Sequence, residues 1–440
     1  MHLIQKIISE YKSGKHTGIF SNCSANEYVL RAVMRRCKTE GVPALIEATA
    51  NQVNQDGGYT GQTPADFYAW CHELAEKEGF DPQNLILGGD HLGPLTWTKL
   101  DEAKAINKAE KLISDYVSAG FTKIHIDTSM HLASDDKNKP LSDEVIATRG
   151  AKLCVAAEKA YEKRSREVTN AIKPIYIIGS EVPIPGGAIP AGGTQEHEGF
   201  SITTKENCSA TVEAFKKAFN EAGLSDAWER VIAVVVQPGV EFSEDEVFVY
   251  DSTKAKDLCE FIKHTGFVFE GHSTDYQPRP AMRELVSDGI IILKVGPALT
   301  FALREALFAL ENIEKIIYGN DSGKNNNIEL SDFAKTLERV MLEKPDQWNK
   351  HYHGDEHKKR INRAYGFSDR VRYYLPEPEI IKSINRLVSN LGKPIPLPLL
   401  SQFMPIQYMR VRDGTLNNNV DDLILDRIGD CTDDYIYAIK

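Results

Sequence analysis

The chain has 440 residues, 42% apolar and 26% charged, with a net charge of −11; this suits one large soluble core with an extension and argues against a nucleic-acid-binding surface. No apolar run approaches the ~20 residues of a membrane span, and the start, Met1-His2-Leu3-Ile4-Gln5-Lys6, lacks the apolar stretch of a secretory leader, so a cytoplasmic location is expected. The seven cysteines are odd in number, scattered and without a Cys-x-x-Cys, which disfavours a disulfide framework or a cysteine zinc site.

Eight short β-rich runs, at 18–24, 44–49, 85–91, 123–129, 175–181, 231–237, 267–272 and 290–296, are each followed by a helix-compatible stretch. That repeat predicts an α/β fold, a (β/α)8 TIM barrel. The first run leads into Ser21-Asn22-Cys23-Ser24, not the Gly-x-Gly-x-x-Gly of an open dinucleotide-binding sheet. Asn26 then offers a helix cap, and Thr63-Pro64 starts the helix after the second run. Beyond about 315 the alternation stops. A polar loop, 320–327, precedes helical segments with aromatic inserts, so the barrel is expected over 1–315 and a mostly helical C-terminal extension, packed on it, over 316–440.

A barrel of this kind carries its chemistry at the C-terminal strand ends. There the second run brings Glu47, with Asn51 and Gln52 just beyond, and the third ends Gly88-Gly89-Asp90-His91, an acid/base group beside a metal ligand. The fourth supplies His125, Asp127 and Ser129, the fifth Glu181, the sixth Gln237, the seventh Glu270 and His272, the eighth Lys294. Each also has a bland explanation. His125 precedes the strand end and reads as a hydrogen-bonded core histidine; Asp127 could cap a helix; Lys294 could pair with a barrel acid; Glu47 could hold a loop. Taken together, His91, Glu181, Glu270 and His272 suit a divalent ion, with Zn²⁺, Mn²⁺ and Co²⁺ left open. The glycine-rich stretch 186–194 reads as a lid over the mouth. Gly271, Ser273, Thr274 and Gly296 could cradle a phosphate, with Arg279 and Lys294 supplying positive charge. No Gly-x-x-x-x-Gly-Lys-Ser/Thr loop occurs, which counts against an NTP-dependent kinase.

The runs Ile46-Glu47-Ala48-Thr49-Ala50-Asn51-Gln52, Gly88-Gly89-Asp90-His91-Leu92-Gly93-Pro94, Gly179-Ser180-Glu181-Val182-Pro183, Glu270-Gly271-His272-Ser273-Thr274-Asp275 and Ser401-Gln402-Phe403-Met404-Pro405 carry a resemblance. The chain resembles, over nearly its whole length, the GatZ/KbaZ family, the non-catalytic subunit of class II D-tagatose-1,6-bisphosphate aldolase. It is similar, more distantly, to the catalytic class II aldolases. There an Asp-His pair ends the third strand, with the His on zinc and the Asp as acid/base, which matches Asp90 and His91. Those aldolases also place a zinc His before a Gly on strand seven, where this chain has Glu270 before Gly271 and its His two residues on. That departure turns the reading away from ordinary bisphosphate aldolase activity.

The wider family includes metal-dependent 4-epimerases of tagatose and fructose. In a 2-ketose the carbonyl acidifies the proton on C3 but not the one on C4, so C4 is inverted by breaking and remaking the C3–C4 bond. The resemblance therefore implies C4 epimerisation of a ketohexose or its 6-phosphate in tagatose or galactitol metabolism. Asp90 and Asp127 would transfer protons, His91, Glu181, Glu270 and His272 would hold Zn or Mn, and Glu47, Asn51, Gln52, Ser129, Gln237, Ser273, Arg279 and Lys294 would bind substrate. The alternative is a non-catalytic subunit that stabilises a class II aldolase catalytic subunit. A sugar or sugar-phosphate substrate, a homo-oligomer, and neither nucleic acid nor membrane are the expected partners.

Overall fold

The computed structural model describes residues 1–179, 202–319 and 328–440. Eight parallel strands, Ile19–Asn22, Ala44–Thr49, Leu85–Leu92, Lys123–Ile126, Ile175–Ile178, Val231–Val236, Val268–Gly271 and Ile290–Val295, close into a barrel in chain order. The first pairs with both the eighth (Ile19 opposite Ile292) and the second (Ser21 opposite Leu45), so no strand edge remains open. These are the eight expected runs, trimmed by a few residues. They form strands because aliphatic side chains such as Ile46, Ile177, Val234 and Ile292 are buried between the lumen and the outer helices. A short hairpin, Glu241–Phe242 with Val247–Phe248, follows the sixth strand. Among the described residues no helix is long and apolar enough to cross a membrane.

Helix starts follow the local chemistry. Asn26 accepts from the amides of Tyr28 and Val29, and Thr63 forms a capping box with Asp66 around Pro64. The region after the barrel is helical, from Phe333–Glu343 to Val420–Ile439. Two details differ from a boundary at 315. The helix Pro297–Tyr318 runs through that position, and Val420–Ile439 packs against Glu27–Glu40, Arg279–Ser287 and Pro297–Tyr318. The end of the chain thus belongs to the outer helical layer around the first strand. Its buried stripe, with Leu423, Ile424 and Ile428, covers apolar surface that would otherwise meet water. Arg31 reaches Asp421 at 2.6 Å, and Arg36 reaches Asp426 and Asp433 at 3.0 Å each.

Candidate metal and substrate site

The third strand owes its glycines to crowding. A β-carbon on Gly88 would lie 2.8 Å from Cγ of Glu47, and one on Gly93 only 1.6 Å from the carbonyl oxygen of Asp127. With no side chains there, the second, third and fourth strands approach closely enough for their polar ends to meet. His91 (φ 48°) and Ser273 (φ 52°) take left-handed backbone conformations at the mouth, where non-glycine residues are uncommon.

Three imidazoles gather there, and each is held by one ring nitrogen. His91 Nδ1 lies 2.8 Å from Oδ2 of Asp127, His125 Nε2 lies 2.9 Å from the carbonyl oxygen of Gly179, and His272 Nε2 lies 3.0 Å from Oε1 of Glu270. Each partner only accepts, so each of these nitrogens carries a proton; His125 Nδ1 in turn accepts from the backbone N–H of His91 at 3.1 Å, and His91 Nε2 lies 3.9 Å from Oδ2 of Asp90. Donor atoms of Asp90, His91, His125 and His272 all lie within 4.8 Å of one another. His125 Nδ1 is 3.0 Å from Oδ1 of Asp90. Two acceptors at that distance repel unless a cation or a proton lies nearby. An imidazole anchored to a carboxylate or carbonyl with its free nitrogen converging on others is the arrangement that orients metal ligands.

The electrostatics agree. Burial opposes a charge on His91, but the carboxylates of Asp90 and Asp127 outweigh it and raise its pKa to about 9. What favours a proton on that nitrogen also favours a divalent cation. Burial also works against Asp127, yet the His91 hydrogen bond prevails and lowers its pKa to about 2. His272 is lowered to about 4, mainly by burial, so its lone pair is available at neutral pH.

Beneath the imidazoles lies a buried ion network. Lys123 is 2.7 Å from both Glu47 and Glu270, and Glu47 also accepts from Ser21 at 2.6 Å. Lys294 sits 3.0 Å from Glu47 and 2.8 Å from Oδ1 of Asp90, at ion-pair distance but without a well-directed hydrogen bond. Burial works against Asp90 as a carboxylate, but His91 and Lys294 hold its pKa well below the ordinary range.

A cavity of ≈ 390 Å³ opens over this floor. Asp90, His91, Asp127, His272, Asn51, Gln52, Ser129, Ser273 and Lys294 all line it. The other expected residues are placed differently. Glu47 and Glu270 are fully buried beneath it, ion-paired to lysines rather than facing an open ligand position. Gln237 turns its Oε1 to the amides of Gly239 and Val240 and staples a turn. Arg279 stands outside, paired with Asp434 at the start of its helix. Gln52 is spent on the backbone of Thr49 and Cys23. The expected phosphate cradle is filled from within, because Asp275 accepts from the amides of Gly296 (3.0 Å) and Ala298 (2.8 Å). Glu181 and the stretch 186–194 lie outside the described residues.

Asp127 stands one hydrogen bond behind His91, the place of a residue that orients a ligand, although it also touches the cavity. The sequence does not single out His125 as a member of the cluster, Lys123 as the counter-ion of Glu47 and Glu270, or Arg372 and Tyr373 as cavity walls. One signal was present. Lys123, His125 and Asp127 alternate with aliphatic residues, a period of two that points all three the same way.

The family model described as D-tagatose-1,6-bisphosphate aldolase subunit GatZ/KbaZ-like matches residues 4–440. A probable tagatose 6 phosphate kinase from Sinorhizobium meliloti 1021 is 42% identical, over 96% of this chain and 100% of its own, with a TM-score of 0.84. More distant are the YdjI aldolase from Escherichia coli K12 (13% identity, 87% of this chain and 95% of its own, TM-score 0.39) and fructose-bisphosphate aldolase from Campylobacter jejuni (13%, 88% and 91%, 0.42).

Proposed function

Because the chain belongs to the D-tagatose-1,6-bisphosphate aldolase subunit GatZ/KbaZ-like family, we propose that its barrel mouth is a working active site, a metal-dependent C4 epimerase acting on a ketohexose or its 6-phosphate of the tagatose/fructose type. One observation carries this reading: three imidazoles, each fixed through one nitrogen by Asp127, the Gly179 carbonyl or Glu270, bring donor atoms within 4.8 Å of one another and of Asp90.

The nitrogen-rich donor set fits a divalent ion such as Zn²⁺ or Mn²⁺. Held by His91, His125 and His272, it would supply a Lewis acid for the oxygens of a 2-ketose. Asp90 is then the proton carrier. Lys294 at 2.8 Å keeps it ionised, so it can take the proton from O4. The C3–C4 bond breaks, its electron pair passes to C3, and C4 becomes an aldehyde. After the aldehyde turns its other face, C3 attacks again and Asp90 returns the proton to O4. The hydrogen on C4 never leaves its carbon. Asp127 keeps His91 in place during these steps, and Asn51 and Ser129 on the cavity wall offer polar contacts to the sugar hydroxyls.

The test is incubation of the purified chain alone, with divalent ion, in D₂O with fructose 6-phosphate and, separately, fructose. Tagatose 6-phosphate and tagatose, respectively, without deuterium at C4 are expected, and Asp90→Asn should lower turnover by ~10²-fold or more. Deuterium at C4 would overturn the bond-cleavage route. The family match favours a second reading, a subunit that stabilises a class II D-tagatose-1,6-bisphosphate aldolase. Inactivity of the ion-loaded chain, with enhancement of such an aldolase on mixing, would decide for it.

A further inference from the structure

The C-terminal region reaches back into the mouth. Arg370–Tyr373 is a single helical turn entered through Asp369 at φ 42°, and Arg372, Tyr373, Leu375 and Pro376 line the same cavity as Asp90, His91 and His272. Arg372 is held by part of its guanidinium. Nη1 donates to the carbonyls of Ser368 and Asp369, the latter at 3.0 Å, and Nη2 to the Tyr373 hydroxyl at 3.1 Å. Its Nε–H and one Nη2–H have no partner among the described residues, and no described carboxylate lies within 4.0 Å.

The acids nearest Arg372 are engaged elsewhere. Asp369 meets Arg304 at 3.0 Å and Thr300 at 2.5 Å, and Asp275 takes the amides of Gly296 and Ala298. Arg370, only 4% exposed, lies behind Arg372 against the same Tyr373 ring, and its Nε and Nη2 find no partner among the described residues. Glu244 acts on it only from beyond ion-pair distance. The contrast with Lys294 is plain, since that cation is consumed by Glu47 and Asp90. Guanidiniums without a carboxylate in ion-pair contact are costly to bury, as Arg370 is, and Arg372 beside it is half-buried. They are stabilised when an anion arrives, and a guanidinium fork matches the paired oxygens of a phosphate.

We propose that Arg372, backed by Arg370, anchors the phosphate monoester of a ketohexose 6-phosphate, so that the C-terminal region selects phosphorylated over free sugar. This rests on reading the imidazole cluster as the site of the ketose. The phosphate is then recognised from the helical region, not from the amides after strands seven and eight, which Asp275 occupies.

The test is calorimetric titration of the full chain with fructose 6-phosphate, fructose and inorganic phosphate. Fructose 6-phosphate should bind at least ~10-fold more tightly than fructose, with inorganic phosphate competing. Arg372→Met should abolish that margin while leaving fructose binding, divalent-ion content and the melting temperature close to those of the wild type. Arg372→Lys, which keeps the charge but not the fork, should fall between; it also decides the matter if Arg372→Met does not fold. Equal affinity of the wild type for both sugars, or a folded Arg372 variant that keeps the full margin, would overturn the proposal. The two readings fail separately. A chain that binds inorganic phosphate through Arg372 but no metal would sink the epimerase and leave this anchor standing, whereas a metal-bound chain that turns over free fructose with no phosphate preference would do the reverse.

Discussion

The floor of the barrel and its mouth both carry buried charge, yet they treat it in opposite ways. On the floor, Lys123 bridges Glu47 and Glu270 at 2.7 Å each, with no solvent access to any of the three. At the mouth, His91, His272 and Arg372 line a cavity. Pairing within the chain marks a charge that holds the fold; a charge anchored on one side and open on the other marks one that awaits a ligand. Glu270 shows the difference within one side chain, since it is paired to Lys123 below and orients His272 above.

The floor should respond to substitution as structure. Lys123→Met leaves Glu47 and Glu270 with Lys294 as their one lysine counter-ion among the described residues and should lower stability by about 3–5 kcal/mol, as breaking a buried pair does. Urea denaturation measures this. A loss under 1 kcal/mol would show that the floor is hydrated and that the contrast with the mouth is false.

Asp275 sharpens the comparison from between the two layers, as a cavity carboxyl satisfied by backbone amides. Burial is the main cause that raises its pKa to about 6. The folded chain therefore holds a proton that the unfolded chain has already lost between about pH 4 and 6, and stability falls as pH rises through that window, then levels off. A rise of that size above the ordinary aspartate value corresponds to ~3 kcal/mol. Asp275→Asn should remove that part of the slope, read from denaturation midpoints at pH 4, 5, 6 and 7. An unchanged slope would assign the titration elsewhere.

The smallest of these effects concerns the anchors. Asp127→Asn should weaken divalent-ion affinity by about 10–100-fold with little loss of stability, because the change frees His91 without unpairing a floor charge. An unchanged affinity would return Asp127 to a direct role in proton transfer.

Much of this is legible in the sequence. Strands are short aliphatic runs, and their ends lie within a few residues of the expected ones because helix caps and glycines mark the turns. The same rule places Asp90, His91 and His272 at the mouth. The rest depends on what lies across the barrel. Glu270 and His272, two apart, read as a ligand pair, but the strand ends at Gly271 and the Glu270 side chain meets Lys123 from the fourth strand. His125 does form the hydrogen bond expected of a core histidine, to the Gly179 carbonyl, while its other nitrogen joins the cluster. No local pattern reveals which carbonyl a ring will meet. Arg279 follows the seventh strand and so reads as a mouth residue, yet it faces outward toward Asp434. Arg372, far along the chain from any barrel strand, carries no local sign of its position.

On this reading His91, His125 and His272 together hold one divalent ion. Titration of the purified chain with Co²⁺, followed by visible absorption, tests it most directly, because ligand-field bands report nitrogen ligands and coordination number. About one ion per chain is expected in the wild type, with loss of the bands in His125→Ala and the fold retained. No binding in the wild type, or an unaltered spectrum in His125→Ala, would contradict it.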